Sequence, residues 1–151
     1  MRTQFLIQLA TLGPIGKLRP APGTWGSLAG LVIGLLLLST GPFILEAAII
    51  VISLTGVAAA NAYEAQTGKK DASEVVIDEV AGQWIVLLVI PFEPLWILAA
   101  FLIFRALDIL KPGPIGMAEK WPGGVGVMAD DIIAGVIGAA ILWGAQILMG
   151  I

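Results

Sequence analysis

The chain contains no cysteine and no histidine. The first absence excludes disulfides, thiolate zinc sites and cysteine nucleophiles. The second excludes Ser-His-Asp catalysis, phosphohistidine chemistry and most transition-metal sites. Charge is also scarce, at 13% of residues, against roughly 25% in soluble domains. With 58% hydrophobic residues and a mean hydropathy of +0.98, the chain cannot build a polar surface around itself. The bilayer is therefore expected to be the solvent for much of it. A net charge of -3 lacks the broad basic surface that general nucleic-acid binding needs. Carboxylates, lysine, arginine and hydroxyls are left to carry chemistry. Carboxylates without histidine or cysteine favour a hard cation such as magnesium. A length of 151 residues fits one domain, 1-151, embedded in the membrane.

Five apolar stretches stand between polar or Pro/Gly punctuation. They run from Leu28 to Leu38 (closed by Ser39-Thr40-Gly41-Pro42), from Phe43 to Ala62, from Val80 to Pro91, from Leu95 to Leu110, and from Ile132 onward. Only the second and fifth reach the roughly 20 residues of a simple span. The expected fold is all-α: a polytopic membrane bundle of about five hydrophobic helices, some short or re-entrant. The segment from Arg2 to Ile7 lacks a long apolar run and a small-residue cleavage site, so a signal peptide is not expected there. If all five stretches cross, Arg2, Lys17, Arg19, Lys69, Lys70, Arg105, Lys111 and Lys120 all fall on one side. The other side receives Glu46 and Glu93. The positive-inside rule then makes the basic side, with the N-terminus, cytoplasmic.

That side also gathers three polar segments. Gly16 to Ser27 offers glycines for close backbone approach, the hydroxyls of Thr24 and Ser27, and a helix start that can receive an anion. It lacks the Gly-Lys-Ser/Thr ending of a Walker A loop, and a Pro/Gly connector with an N-cap is the plainer account of it. Asp71 to Trp84 places Asp78 and Glu79 where an apolar helix enters lipid, and ionisable groups there are costly and usually functional. Acids at a helix start also complement its dipole, but Val75 to Ile77 precede this pair. In Phe104 to Pro112, Arg105, Asp108 and Lys111 share a face at spacings of three. Arg105 and Lys111 suit a phosphate, one as a planar fork and the other as a point charge. An intrahelical ion pair alone would be worth only a few tenths of a kcal/mol. Finally, Gly123-Gly124 leads to Asp130-Asp131, adjacent carboxylates that near lipid call for a cation. For Asp78, Glu79, Asp108, Asp130 and Asp131 together, a shared metal site is the better account.

These segments, Ala21-Pro22-Gly23-Thr24-Trp25-Gly26-Ser27, Ile77-Asp78-Glu79-Val80-Ala81-Gly82-Gln83-Trp84, Arg105-x-x-Asp108-x-x-Lys111-Pro112 and Gly123-Gly124-x-Gly126-x-Met128-x-Asp130-Asp131, resemble the phosphatidylglycerophosphatase A family in order and spacing over nearly the whole chain. The resemblance implies a magnesium-dependent phosphatase of the bacterial inner membrane that converts phosphatidylglycerophosphate to phosphatidylglycerol. It makes Asp78, Glu79, Asp108, Asp130 and Asp131 the metal or catalytic acids, with Asp78, Glu79, Asp108 and Asp131 the catalytic set. It makes Thr24, Ser27, Arg105 and Lys111 the phosphate contacts. The chain departs from the family in having Gly113 where tryptophan is common and Glu119-Lys120 where Asp-Arg is common. Those differences bear on the headgroup contacts rather than on the metal site.

A cation or solute transporter is the alternative, because membrane carboxylates also bind transported ions. No inverted repeat is visible, however, and the acids gather at one face. A lipid-phosphate transferase would carry an Asp-Gly-x-x-Ala-Arg signature, which is absent. A purely structural subunit would not need so many carboxylates at a membrane edge. The partners expected are phosphatidylglycerophosphate and membrane lipid, with no nucleic acid. The residues leave open an oligomer, the number of metal ions and the choice between water attack and a phospho-aspartate.

Overall fold

The computed structural model describes residues 1-41 and 43-151; Pro42, which closes the first apolar stretch in the sequence reading, lies outside the described residues. Among the described residues, seven α-helices follow one another: α1 (Arg2–Ala10), α2 (Pro22–Thr40), α3 (Ile44–Thr67), α4 (Ile77–Leu87), α5 (Pro94–Leu110), α6 (Pro114–Ala118) and α7 (Gly123–Met149). A single 3-10 turn, Ile15–Lys17, precedes α2, and no strand occurs among the described residues. The expected all-α bundle is observed, and each of the five apolar stretches forms a helix: α2, α3, α4, α5 and α7. The short helices α1 and α6 add to them.

Three helices are long and apolar enough to cross a bilayer: α2 with 19 residues, α3 with 24 and α7 with 27. The chain is accordingly a membrane protein. Their outward faces carry exposed Val32, Leu36, Ile50, Leu54, Val136 and Ile147, which suits lipid contact. Pro22 and Pro94 open α2 and α5 from the first turn, where a missing N–H costs nothing and the fixed φ is already helical.

The short α4 is the centre of the molecule. Nine of its 11 residues are buried, because α2, α3, α5 and α7 all pack around it. On α2 the stripe Gly26, Gly30 and Gly34 receives Val76, Val80 and the Trp84–Leu87 pair of α4, the small-residue packing that lets membrane helices approach closely. The Trp84 indole N–H donates to the Gly30 carbonyl at 2.7 Å. On α7, Gly135 meets the Gly82 backbone. A helix that stops inside a bundle must have its last carbonyls satisfied. Here the Gln146 amide of α7 donates to the Val89 carbonyl just beyond α4, at 2.8 Å. The starts of α2, α4 and α7 and the ends of α3 and α5 converge at one end of the bundle. The polar residues collect at that end.

Candidate active site

Arg105, near the end of α5, is the hub of this end. Its Nη2 donates to Thr24 Oγ1 and its Nη1 to Ser27 Oγ, each at 3.4 Å. Nη1 also pairs with Asp108 one turn on, and lies 4.0 Å from Glu79 Oε1. Ser27 Oγ donates in turn to the Gly23 carbonyl at 2.9 Å. A Cβ at position 23 would meet the Glu79 carboxylate and, at 3.2 Å, the Arg105 guanidinium, so glycine lets both side-chain ends lie against the backbone there. The first turns of α2, which the sequence reads as the end of a Pro/Gly-rich connector, therefore stand directly against Arg105 and Glu79. Arg19 of the same segment turns away to Glu74, at 3.5 Å.

Lys111 follows α5 in a left-handed backbone conformation, φ 47°, which carries it off the helix face it was expected to share with Arg105. Its Nζ lies 2.7 Å from both Asp130 Oδ2 and Glu119 Oε1. Burial works to lower its pKa, but the hydrogen bonds it donates to Asp130 and Glu119 outweigh that and raise it above the ordinary lysine value. Lys111 thus stays a cation. A cavity of about 550 Å³ opens beside Glu119, lined also by Glu64, Lys70, Lys120 and Trp121. In the loop before α4, the Glu74 carboxyl is held below its usual range by a backbone hydrogen bond and by Lys69 and Arg19.

The five acids divide by orientation. Asp108 faces Arg105, and Asp130 faces Lys111. Asp78 and Glu79 of α4 meet Asp131 of α7, with carboxylate oxygens from the three within 4.8 Å of one another. Asp78 Oδ1, Glu79 Oε2 and Asp131 Oδ2 are buried and have no hydrogen-bond partner among the described residues. Three acceptor-only groups aimed at one space are repulsive and unsatisfied by themselves. An all-oxygen donor set of this kind fits a hard divalent cation, so the buried cluster can hold a metal. Asp130 Oδ1 accepts from the Asp131 N–H at 2.9 Å, which holds the two adjacent aspartates in different directions.

Asn61, late in α3, was not singled out by the sequence; it accepts from the first-turn N–H of Gly124 at 2.7 Å and so caps α7. Glu119, which the sequence tied to the headgroup contacts, is the second partner of Lys111. Gln83, one turn after Glu79 on α4, is fully buried with both amide atoms unpaired among the described residues.

Comparison with known proteins agrees over most of the length. A family model described as phosphatidylglycerophosphatase A matches residues 8–146. A Haemophilus influenzae protein named phosphatidylglycerophosphatase A is 42% identical over 137 residues, covering 89% of this chain and 84% of its own. An Escherichia coli protein of the same name is 38% identical over 125 residues, covering 81% of this chain and 72% of its own. A Bacteroides thetaiotaomicron protein named putative phosphatidylinositol-3-phosphatase is 38% identical over 138 residues, covering 86% of each. No solved structure matches the chain.

Proposed function

The chain belongs to the phosphatidylglycerophosphatase A family, and from that premise we propose that it hydrolyses phosphatidylglycerophosphate to phosphatidylglycerol and phosphate with magnesium, at the cytoplasmic face of a bacterial inner membrane. One observation carries the reading: Asp78, Glu79 and Asp131 bring carboxylate oxygens within 4.8 Å of one another, each has a buried oxygen with no partner among the described residues, and a guanidinium placed among hydroxyls stands beside Glu79. Phosphoryl transfer asks a protein for such positioning and charge compensation more than for covalent chemistry. All eight basic residues lie in segments assigned to the site's side of the membrane, which supports the cytoplasmic orientation.

Asp78, Glu79 and Asp131 are the residues that would hold magnesium, which when bound supplies a counter-charge for phosphoryl oxygens and for the charge that develops during transfer. Arg105 binds a phosphoryl oxygen with donors that Thr24 and Ser27 pre-orient, and Asp108 keeps the guanidinium from swinging out. Lys111, fixed between Asp130 and Glu119, presents positive charge to the headgroup. Its lysine point charge tolerates more than one headgroup geometry, whereas the arginine fork sets the direction of the phosphate. A carboxylate of the cluster takes a proton from the attacking water. The apolar outer faces of α2, α3 and α7 keep the acyl chains in the bilayer while the headgroup reaches the polar end.

The test is phosphate release by the purified protein in detergent, from phosphatidylglycerophosphate and, in parallel, from phosphatidylinositol 3-phosphate, with magnesium and with EDTA. Magnesium-dependent release that favours phosphatidylglycerophosphate supports the proposal. Preference for the inositol lipid would move the chain towards the reading carried by the Bacteroides protein's name. Cation flux in proteoliposomes with no phosphate release would favour the transporter alternative instead.

A further inference from the structure

Gln83 is completely buried, yet neither its amide nitrogen nor its amide oxygen has a hydrogen-bond partner among the described residues. A buried polar group without a partner is rare in folded proteins and calls for an account. The register of α4 fixes where it projects. Val80, Trp84 and Leu87 face α2, where they meet Gly30 and Gly34. Gly82 and Val86 face α7 and the Phe104 ring of α5, with the Asp131 carbonyl and Gly135 against Gly82 and Gly138 against Val86. Gln83 lies in the arc between these faces, one turn, about 6 Å, further into the bundle than Glu79 and on the same side of the helix. On that side Glu79 pairs with Arg105, and Glu79 Oε2 and Arg105 Nε are likewise buried without partners. An amide, a carboxylate and a guanidinium thus stand along one buried seam, each with hydrogen-bonding capacity to spare.

We propose that Gln83 is a catalytic residue whose amide fixes the water that attacks phosphorus; this rests on the phosphatase reading above. The departing alcohol belongs to the lipid headgroup and leaves towards the open end of the bundle. In-line displacement places the nucleophile on the opposite side, which is the side where Gln83 lies. An amide suits the task, because its oxygen accepts from a water O–H while its nitrogen donates to the water's lone pair. Being neutral, it orients the water without competing for the proton, which passes to a carboxylate at the site. The water oxygen bonds to phosphorus as the bond from phosphorus to the lipid alcohol oxygen breaks. The proton shed by the water is returned to the departing oxygen, so one ester and one water give one alcohol and one phosphate.

Gln83→Leu and Gln83→Met remove the amide and keep the volume. The expected result is a folded protein with a thermal midpoint at or above that of wild type, because an unpartnered buried amide has been removed. Its kcat on phosphatidylglycerophosphate falls about 10²-fold, the scale lost when a reacting group is misoriented. KM and inhibition by inorganic phosphate stay within about twofold, as for an interaction made only in the transition state. Wild-type kcat in either folded variant overturns the proposal. A parallel rise in KM and in the phosphate inhibition constant overturns it as well, since that marks a substrate contact. Unfolding of both variants overturns it too, by assigning the amide a structural role. A wild-type protein that releases no phosphate from any lipid monoester sinks the phosphatase reading itself, a distinguishable failure.

Discussion

Replacing Gly82 with alanine tests how far the acid cluster depends on the close crossing of α4 and α7. An added Cβ would stand 2.5 Å from the Asp131 carbonyl oxygen and 2.7 Å from Phe104 Cζ. The Phe104 ring is fully buried and the carbonyl is backbone, so neither can step aside as a flexible side chain would. Ordinary contact begins at 3.4 Å, so α7 must retreat by about 0.9 Å. Alanine gains about 1 kcal/mol of helix propensity over glycine. Overpacking of a tight core costs about 1–3 kcal/mol, so the clash outweighs the gain and the protein loses about 1 kcal/mol overall. The catalytic effect is larger. The helix that retreats carries Asp131, while Asp78 and Glu79 stay on α4, so the gap opens within the three-carboxylate group. A displacement near 1 Å at reacting groups costs about 10²-fold in rate. Thermal unfolding and magnesium-dependent phosphate release, measured on the same preparation, read the two effects separately. Gly144→Ala is the control: a Cβ there has nothing within 4 Å, and its propensity gain of about 1 kcal/mol should appear with activity unchanged. Wild-type turnover and stability in Gly82→Ala would refute the claim that this crossing sets the site.

Three further outcomes are expected. Asp131→Asn removes one of three mutually repelling buried carboxylates, so in EDTA its thermal midpoint equals or exceeds that of wild type. Its magnesium-induced stabilisation, about 2.7 kcal/mol for a site at 100 times its Kd, shrinks and turnover falls at least about 10²-fold; full magnesium-dependent turnover in the variant would falsify its assigned role. Lys111→Met leaves Asp130 buried without its cation, at a cost of about 1–3 kcal/mol. The folded pKa of Lys111 is raised, so its stabilisation is complete below the unfolded value of 10.5 and is lost only as pH rises through the higher folded value. The lysine's own contribution is therefore constant up to about pH 9, and a deficit that fades between about pH 8 and 9 contradicts the assignment. Glu74 has the opposite sign: its lowered pKa means stabilisation present above 4.5 and lost as pH falls through the folded value. With partners 62% exposed, Glu74→Gln should cost no more than about 1 kcal/mol at neutral pH, and the difference from wild type should vanish in acid unfolding curves.

The residues themselves made much of this legible. Runs of apolar residues as long as Phe43 to Ala62 leave a chain little choice of solvent, so the membrane and the helical class follow from composition and the need to satisfy backbone groups internally. The third stretch was readable as short because Pro91 and Pro94 stop it, and it became the 11-residue α4. The absence of histidine and cysteine narrowed the chemistry to oxygen ligands, and in the structure Arg105 stands among polar residues at one end of the bundle. The short helix α1 escaped notice because nine residues are too few for a helix to announce itself by local pattern. It is held by tertiary contact with α3 and by the Val76 N–H, which donates to the Ala10 carbonyl at 2.8 Å.

The partnering of the acids was decided by tertiary structure alone. Asp130 and Asp131 are neighbours in sequence, but successive residues on a helix point about 100° apart. One therefore meets Lys111 and the other meets Asp78 and Glu79. No local pattern could tell which does which, because the deciding groups come from α4 and from the end of α5, brought alongside by the packing of glycines against side chains. The same holds for Gln83, which reads as one polar residue in an apolar helix until α2, α5 and α7 close around it and bury its amide. The sequence determined the solvent, the helices and the kinds of ligand. The packing of helices distant in the chain chose which carboxylates face one another, since that choice depends on rotations and approach distances that arise only when the bundle forms.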